Sequence, residues 1–562
     1  MPTLDSLGQV ITTDLLIIGG GLAGLTAAIT AKESSPGLDV LVVDKVTTGW
    51  GGKANKGGGY ISYVVPKERD EFLDFRVRRV GLFLDDQELL QAYADESRPN
   101  LDRLESWGVH IFRDERDEPK YFRWSPELPW RMALMDQDMT PNMARYARRR
   151  GVRVLDHVSI VELLKCGGRV VGGIGFSMLD GTCHIVKARA TVLANGAQNW
   201  RLMRRWASGR GDGIAAAYRA GAQMRNGEFG NFVGWVFADS KELCNGAENV
   251  LYNSKGEHIP RAVGPGLEPD IHSEPTVAWY EEMIGGNGPC FANMAENTVY
   301  NVVIPSFLSG TLGERPLASA FWRTARERAA SAAKSPGAMQ EVVPGLIGEQ
   351  APIKVDHAMA TTVAGLYAIG DTSGSGSGWM AIPSTGFGYA LFSGIRCGRA
   401  AADSAARGDE PRVDVAHAEA LREVIYAPVE RASGTDAMEL VRAIQDVMSP
   451  VGNSVYQHRD RIEAALVELE SIKARLPELV AGDWHYLSAC HEVRAMVMCS
   501  ELFFRTSLER EESRASHLRE DYPEADDANY LEWIVAEDRD GEMLLSRDRI
   551  PFDRYPIKPQ DS

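Results

Sequence analysis

A chain of 562 residues, 44% apolar and 25% charged, has the composition of an ordinary globular protein with material for several domain-sized cores. Its net charge of −17 excludes a nucleic-acid partner, and seven cysteines without a CxxC pair exclude a disulfide framework and a zinc or iron–sulfur site of the chain's own. No apolar stretch reaches the roughly 18–20 residues that span a bilayer, and the N-terminus lacks the regions of a signal peptide, so no membrane insertion and a cytoplasmic location are expected.

The first predicted element is a strand at Leu15–Ile18. Gly19-x-Gly21-x-x-Gly24 follows, then a helix-favouring segment Leu25–Lys32 and a second strand, Val40–Val43, ending on Asp44. The first glycine makes the tight turn. The second lets the backbone approach a pyrophosphate, and the third lets helix and strand pack closely. The helix N-terminus offers unpaired N–H groups to phosphates. Asp44 falls 20 residues after Gly24, where a carboxylate can accept ribose hydroxyls. With strand, helix and acid in register, dinucleotide binding is expected rather than an ordinary glycine turn. Residues 45–60, from Lys45 through Gly51, Gly52, Gly57 and Gly58, are too rich in glycine for a regular element. They are expected to cradle a flat ring with backbone N–H groups, the alternative being a flexible surface loop.

Residues 70–150 read as helical, with apolar residues at three and four spacing over Leu82–Leu104. Within Tyr121–Asp138, Arg123, Trp124 and Arg131 can contact a planar or anionic substrate, or the loop can simply be packed by its tryptophans. Arg145 and Arg148–Arg150 suit a helix C-terminus before a strand at Val152–Leu155. Strands with hairpin turns at Gly167-Gly168 and Asp180-Gly181 run to Thr191–Gly196, where Ala194, Asn195 and Gly196 permit close approach to a nucleotide. Asp212, among glycines before the helix Ile214–Gly221, either caps that helix or binds ligand.

Residues 231–349 are irregular, rich in Gly, Pro and Asn, with one clear helix at Leu317–Lys334; they read as an inserted domain. The earlier pattern then returns with strands at Ile353–Asp356 and Val363–Asp371. An apolar strand ending on Asp371 points to FAD rather than NAD, because its carboxylate can accept ribityl hydroxyls. Ser384, Thr385 and Gly386 open a helix, Phe387–Ala406, whose N-terminus could stabilise negative charge on the reduced ring. From 409 onward the chain is mostly helical, with a stripe of Ile462, Leu466, Leu469, Ile472 and Leu476, and it closes in strands and coil after Leu531. The expected organisation is an FAD-binding domain at 1–230 and 350–408, a capping domain at 231–349 and a helical domain at 409–562.

In GGGLAGLTAA, the glycine loop at 51–59, TVLANGA, GRGDGIAAAYRAGA, NGEFGNF at 226–232, LYNSKGE at 251–257, GLYAIGD and ESRASHLREDYP at 512–523, the chain resembles the fumarate reductase/succinate dehydrogenase flavoprotein family. The spacing around GLYAIGDTSGSGSG and the ESRASHLREDYP tail look most similar to the adenylylsulfate reductase α-subunit branch. The resemblance implies an α/β fold: a Rossmann-like, glutathione-reductase-type FAD-binding domain, an inserted α+β capping domain and a C-terminal helical domain. It also implies hydride exchange between a small-molecule substrate and flavin N5, with a small ferredoxin-like iron–sulfur protein as electron partner.

The departures from the family pattern matter as much. The positions of the family's proton-relaying arginine, its two histidines and its substrate arginine fall on Asn245, Val233, Gly348 and Ala381. A diacid cannot be held without cationic partners, so fumarate, succinate and aspartate chemistry are not expected. No histidine lies between Asp14 and Gly59 to attach the flavin, so the FAD is expected to be non-covalent. Glu349, beside one lost histidine, is the candidate acid/base, unless it is a surface carboxylate. His357 is expected to be solvated, and Arg514 and His517 either lie near the active site or tie the helical domain down. The expected function is an FAD-dependent dehydrogenase or reductase, the alternatives being an oxygen-reoxidised oxidase and a non-catalytic electron-transfer protein.

Overall fold

The computed structural model describes residues 3–559 apart from 58, 124–127, 137, 203–208, 232, 245, 260–273, 300, 302–337, 347 and 379–384. The expected helix Leu317–Lys334 lies outside the described residues, as do Gly58, Trp124, Asn245, Ala381 and Ser384.

Strand β1 (Gln9–Ile18) changes along its length from partly exposed to fully buried, following its change from polar to apolar residues. Helix α1 (Leu22–Ser34) is buried on every side from Leu22 to Ala31, which suits its small alanine, glycine and threonine side chains. Strand β2 (Val40–Asp44) pairs parallel with β1. The glycine stretch that follows does contain a regular element, contrary to expectation: a short helix, α2 (Gly52–Gly57). Gly52 takes the left-handed φ of +79° and turns the chain, and the Lys-Ala-Asn-Lys run between the glycine clusters is itself compatible with a helical turn. Helix α3 (Gln87–Ser106) starts later than the apolar pattern suggests. Leu82 and Phe83 are left-handed, and the Asp86 side chain caps the helix at Leu89 N–H, 3.0 Å away. Helix α4 (Met139–Arg149) ends in basic residues ahead of β3 (Arg153–Asp156).

Strands β4 (Val158–Cys166), β5 (Arg169–Ser177) and β6 (Cys183–Leu193) complete most of the main sheet. The β4–β5 turn uses left-handed Gly167 and Gly168, as the hairpin signal requires. After α5 (Asp212–Arg219), the chain enters a second sheet of β7 (Val233–Phe237), β8 (Leu251–Tyr252), β9 (Phe291–Asn293) and β10 (Met339–Leu346), in the order β7-β10-β9-β8. Trp235, Phe237, Leu251, Cys290 and Val342 give this sheet a core separate from the main one. Strand β11 (Leu366–Ala368) then returns to the first sheet.

The main sheet runs β3-β2-β1-β6-β5-β4, with β11 also on β6. β6 pairs along its length with β1; its first half meets β5 antiparallel and Thr191–Leu193 meet β11 parallel. That division brings the ends of β1, β2, β6 and β11 to one edge, where ligands sit in parallel α/β sheets. Helix α6 (Gly386–Arg407) packs on α1: a side chain at Gly394 or Gly398 would meet the Ala23 or Ala27 carbonyl oxygen at 2.8 or 2.7 Å. The remainder holds α7 (Val415–Glu430), α8 (Ala437–Met448), α9 (Arg459–Ala474) and α10 (Trp484–Glu509), then a hairpin of β12 (Glu532–Arg539) and β13 (Glu542–Arg549). The stripe on α9 buries Ile462, Leu469 and Ile472; Leu466 is half-buried, and Leu476 follows the helix end.

Candidate cofactor and active site

Gly19, Gly21, Asp44, Lys45, Gly51, Gly52, Ala194, Asn195, Gly196, Asp212 and Asp371 line a single cavity of about 460 Å³ at the edge where those strands end. The glycines divide their work as the motif demands. Gly19 has φ +111°, and a Cβ there would meet the Ala194 carbonyl oxygen at 2.3 Å. A Cβ at Gly24 would strike the Gly19 oxygen at 1.9 Å, so Gly24 packs beneath the cavity rather than lining it. A Cβ at Gly21 would meet nothing within 4 Å, at the position that caps the N-terminus of α1.

Asp44 is anchored before any ligand arrives. One carboxylate oxygen accepts from Gly20 N–H at 2.6 Å and the other from Val46 N–H at 2.9 Å, while burial pushes its carboxyl upward. Lys45 turns to Asp212 at 2.6 Å and to Glu492 of α10 at 3.3 Å. Burial works against its charge, but Asp212 and Glu492 hold its ammonium well above the usual lysine range. Asp212 is the first residue of α5 rather than its cap, which is Gly211. Its Oδ1, like Oδ1 of Asn195, is buried with no hydrogen-bond partner among the described residues. Open space at a helix N-terminus, an oriented carboxylate beside it and two buried acceptor oxygens without a donor among the described residues fit an adenine dinucleotide.

A second cluster forms around Lys53, which also lines the cavity. Its ammonium pairs with Glu349 and stands 3.5 Å from Asp371 Oδ2. Burial opposes the Lys53 charge, yet Glu349 and then Asp371 keep its pKa raised. Burial, and then the neighbouring Asp371, push the Glu349 carboxyl above the usual carboxylate range despite Lys53. A Cβ at Gly386 would sit 3.5 Å from Asp371 Oδ1, so the start of α6 adjoins this cluster; Thr385 is buried there and Phe387 lines the cavity.

The other candidates are placed elsewhere. Arg123 and Arg131 share Glu68, each at 2.7 Å, and Arg131 also lies over the Tyr121 ring at 4.4 Å. Neither lines the cavity. His357 is half-exposed but tied to Asp86 at 2.9 Å. Arg514 and His517 are buried away from it: Arg514 bonds Glu512, Asp527 and the Leu82 oxygen, and His517 bonds the Arg510 oxygen. Gly348, at one lost-histidine position, is left-handed at φ +64°, and a Cβ there would press on the Trp200 ring at 2.8 Å. An indole therefore occupies the direction a histidine would need.

A family model for an FAD binding domain matches residues 14–385, and one for the fumarate reductase flavoprotein C-terminus matches 442–562. The chain belongs to the fumarate reductase/succinate dehydrogenase flavoprotein family. Members of the family that it resembles include a component of the CoM/CoB fumarate reductase of Methanothermobacter marburgensis, 26% identical over 91% of this chain and 94% of that one. Another is the fumarate reductase flavoprotein subunit of Mycobacterium tuberculosis, 26% identical over 97% and 98%. In fold the chain matches E. coli quinol fumarate reductase FrdA at a TM-score of 0.83, with 20% identity over 98% and 99% of the two chains. It also matches adenylylsulfate reductase of Archaeoglobus fulgidus at 0.77, with 21% identity over 96% of each. The protein is an FAD-dependent oxidoreductase of this family, and no described helix is long and apolar enough to cross a membrane.

Sequence reasoning missed Lys53, Glu492 and the cations around Glu492. Lys53 carried a signal, a cation between the glycine clusters of a predicted ring cradle. Glu492 carried none, because it lies in a helix whose pattern reads only as packing. In the fold it reaches the cavity and faces Arg201 and Arg210, each at 3.5 Å.

Proposed function

We propose that the cavity holds FAD non-covalently and that the enzyme exchanges a hydride and a proton with a small organic molecule that is not a four-carbon diacid. The observation that carries this is the Lys53–Glu349–Asp371 cluster, in which Lys53 and Asp371 line the cavity that also gathers the dinucleotide fingerprint and Glu349 stands behind them on Lys53. Gly19, Gly21, Asp44, Asn195 and Asp212 would hold the adenosine diphosphate part, and Asp371 the ribityl chain. Bound FAD would supply hydride acceptance and donation at N5. The chain's own part is to carry the matching proton at the Glu349 carboxyl, which its surroundings bring closer to neutral pH. Lys53 orients that carboxyl, and the buried setting limits competing water.

Val233 and Gly348, where the family pattern has histidines, and the packing of Gly348 on Trp200 support a substrate without two carboxylates. The names of the relatives, fumarate reductase subunits, keep a multi-subunit setting in view. With no iron–sulfur ligand pattern in this chain, the electron partner we infer is a small ferredoxin-like protein. An anaerobic screen of candidate substrates against the flavin absorbance band tests the reading. Bleaching of the oxidised band by an activated alkane, or return of the band when the matching alkene is added to reduced enzyme, is expected, with neither change from succinate or fumarate; efficient turnover of fumarate would overturn it. Mild acid denaturation should release all of the flavin into the supernatant.

A further inference from the structure

Hydride exchange with a substrate asks for one acid/base group; two residues of the cavity wall, Lys53 and Asp371, form with Glu349 a three-charge cluster with an unequal balance. Lys53 supplies one positive charge, and Glu349 and Asp371 supply two negative ones. Only one of the two carboxylates can be matched at a time, so the cluster as a whole is negative when both are ionised. Both carboxylates reach solvent, with 22% of the Glu349 side chain and 25% of the Asp371 side chain exposed against 10% for Lys53, and Glu349 is the one paired directly with Lys53. Lys53 from α2 and Asp371 from the turn after β11 are the charged groups that act on it among the described residues, and its backbone N–H donates to the Gly230 oxygen at 3.3 Å.

We propose that Glu349 is a redox-linked proton store: it takes a proton from solvent as the bound flavin is reduced, and surrenders it to the substrate as the flavin is reoxidised. This rests on the FAD reading above. Two electrons, from a donor protein or a reduced substrate, and one proton entering the ring leave it with one negative charge. Beside this cluster, which is itself negative when both carboxylates are ionised, that charge would be repelled. Protonation of Glu349 would remove the repulsion, because Lys53 and Asp371 then balance each other. In the reverse step the substrate receives a hydride from the ring and a proton from Glu349, and Glu349 returns to its pairing with Lys53. Atoms and charge balance in both directions, and a reduced enzyme is always armed with the proton its substrate needs.

The decisive measurement is the two-electron midpoint potential of the flavin in the purified protein as a function of pH. Each proton taken up with two electrons shifts the equilibrium tenfold per pH unit, which is about 30 mV. The wild type is expected to fall by about 60 mV per pH unit over part of the range from about pH 6 to 9. Glu349→Gln, which cannot take the proton, should fall by about 30 mV per unit throughout. Lys53→Met, in which Glu349 keeps its proton in both states, should do the same; it decides the matter if Glu349→Gln does not retain flavin. A wild-type slope near 30 mV at every pH, or variants that keep the wild-type slope, would overturn the proposal. Protein purified without any flavin would instead overturn the FAD reading, and this inference with it.

Discussion

Lys53 and Glu349 form an ion pair between residues 296 positions apart, one on the glycine loop after β2 and the other just beyond the second sheet. The pair joins the cavity wall to the residues that follow the second sheet. A carboxyl held by a lysine and pushed upward by burial and Asp371 is suited to proton transfer. Glu349→Gln should therefore lower the rate of flavin reoxidation by substrate about 10²–10⁴-fold, the usual worth of a general acid. Flavin content should be unchanged. Stopped-flow reoxidation with the substrate found by the anaerobic screen checks this, and a variant within twofold of wild type would remove Glu349 from the chemistry.

Two glycines of one motif should fail in different ways. Gly21 faces open space, so Gly21→Ala should leave the unfolding temperature of the flavin-free protein unchanged while weakening flavin binding by at least tenfold. Gly24 sits against the backbone oxygen of Gly19, which cannot step aside, so Gly24→Ala should destabilise the protein by about 1–3 kcal/mol through overpacking. Thermal unfolding and flavin titration of the two variants separate the effects. Equal loss of stability in both would show that the open space beside Gly21 is filled in solution.

The contrast between those glycines shows why half of the site was legible in the sequence. The dinucleotide motif is local: strand, turn, helix and acid lie within Leu15–Asp44, and each residue's job follows from its neighbours in sequence. The link to Asp371 was also readable, because a strand ending on an acid implies the same sheet edge. Partners that meet only through the tertiary fold were not readable. Lys53 with Glu349, and Lys45 with Glu492 from α10, each join segments separated by hundreds of residues. The Arg123 and Arg131 pattern misled for the opposite reason. Two arginines close in sequence suggested an anion site, and an internal acid, Glu68, occupies both.

The ESRASHLREDYP segment suggested either an active-site role or a structural tie, and its contacts favour the tie. Arg510 is fully buried, bonding Glu228 at 2.8 Å, Glu512 at 2.9 Å and the carbonyl oxygens of Tyr530 and Glu532. Glu512 in turn holds Arg514 at 2.7 Å. Removing one charge from such a set strands the others, so Arg510→Met should cost about 3–5 kcal/mol. Denaturant unfolding of the flavin-free protein measures it, and a loss below about 1 kcal/mol would mean that water reaches this cluster in solution.

Acid should destabilise the fold well above the pH where carboxylates protonate. His491 and His517 are fully buried, and burial, reinforced by Arg494 for the first and Arg510 for the second, pushes each down to about 3. Both are therefore neutral in the folded protein, whereas an unfolded histidine titrates near 6.5. A folded-state value below the unfolded one gives stability that is complete above about pH 6.5 and is lost as pH falls toward 3. Each histidine should remove about 1.4 kcal/mol per pH unit in that window. His357 works the other way, since its hydrogen bond to Asp86 raises it; its contribution is complete below about pH 6.5 and fades only as pH rises above that, outside the window. Between about pH 6.5 and 5 the carboxylates that their partners hold low are still ionised in both states, while Glu349, Glu228 and Asp44, pushed upward by burial, take up protons in the folded state and should offset only part of the loss from the two histidines. Unfolding midpoints in denaturant should fall steadily across that interval, and His491→Asn with His517→Asn, which keep an N–H donor without the titration, should flatten the fall. A wild-type midpoint that stays level from pH 6.5 to 5 would mean that one or both imidazoles reach solvent without unfolding.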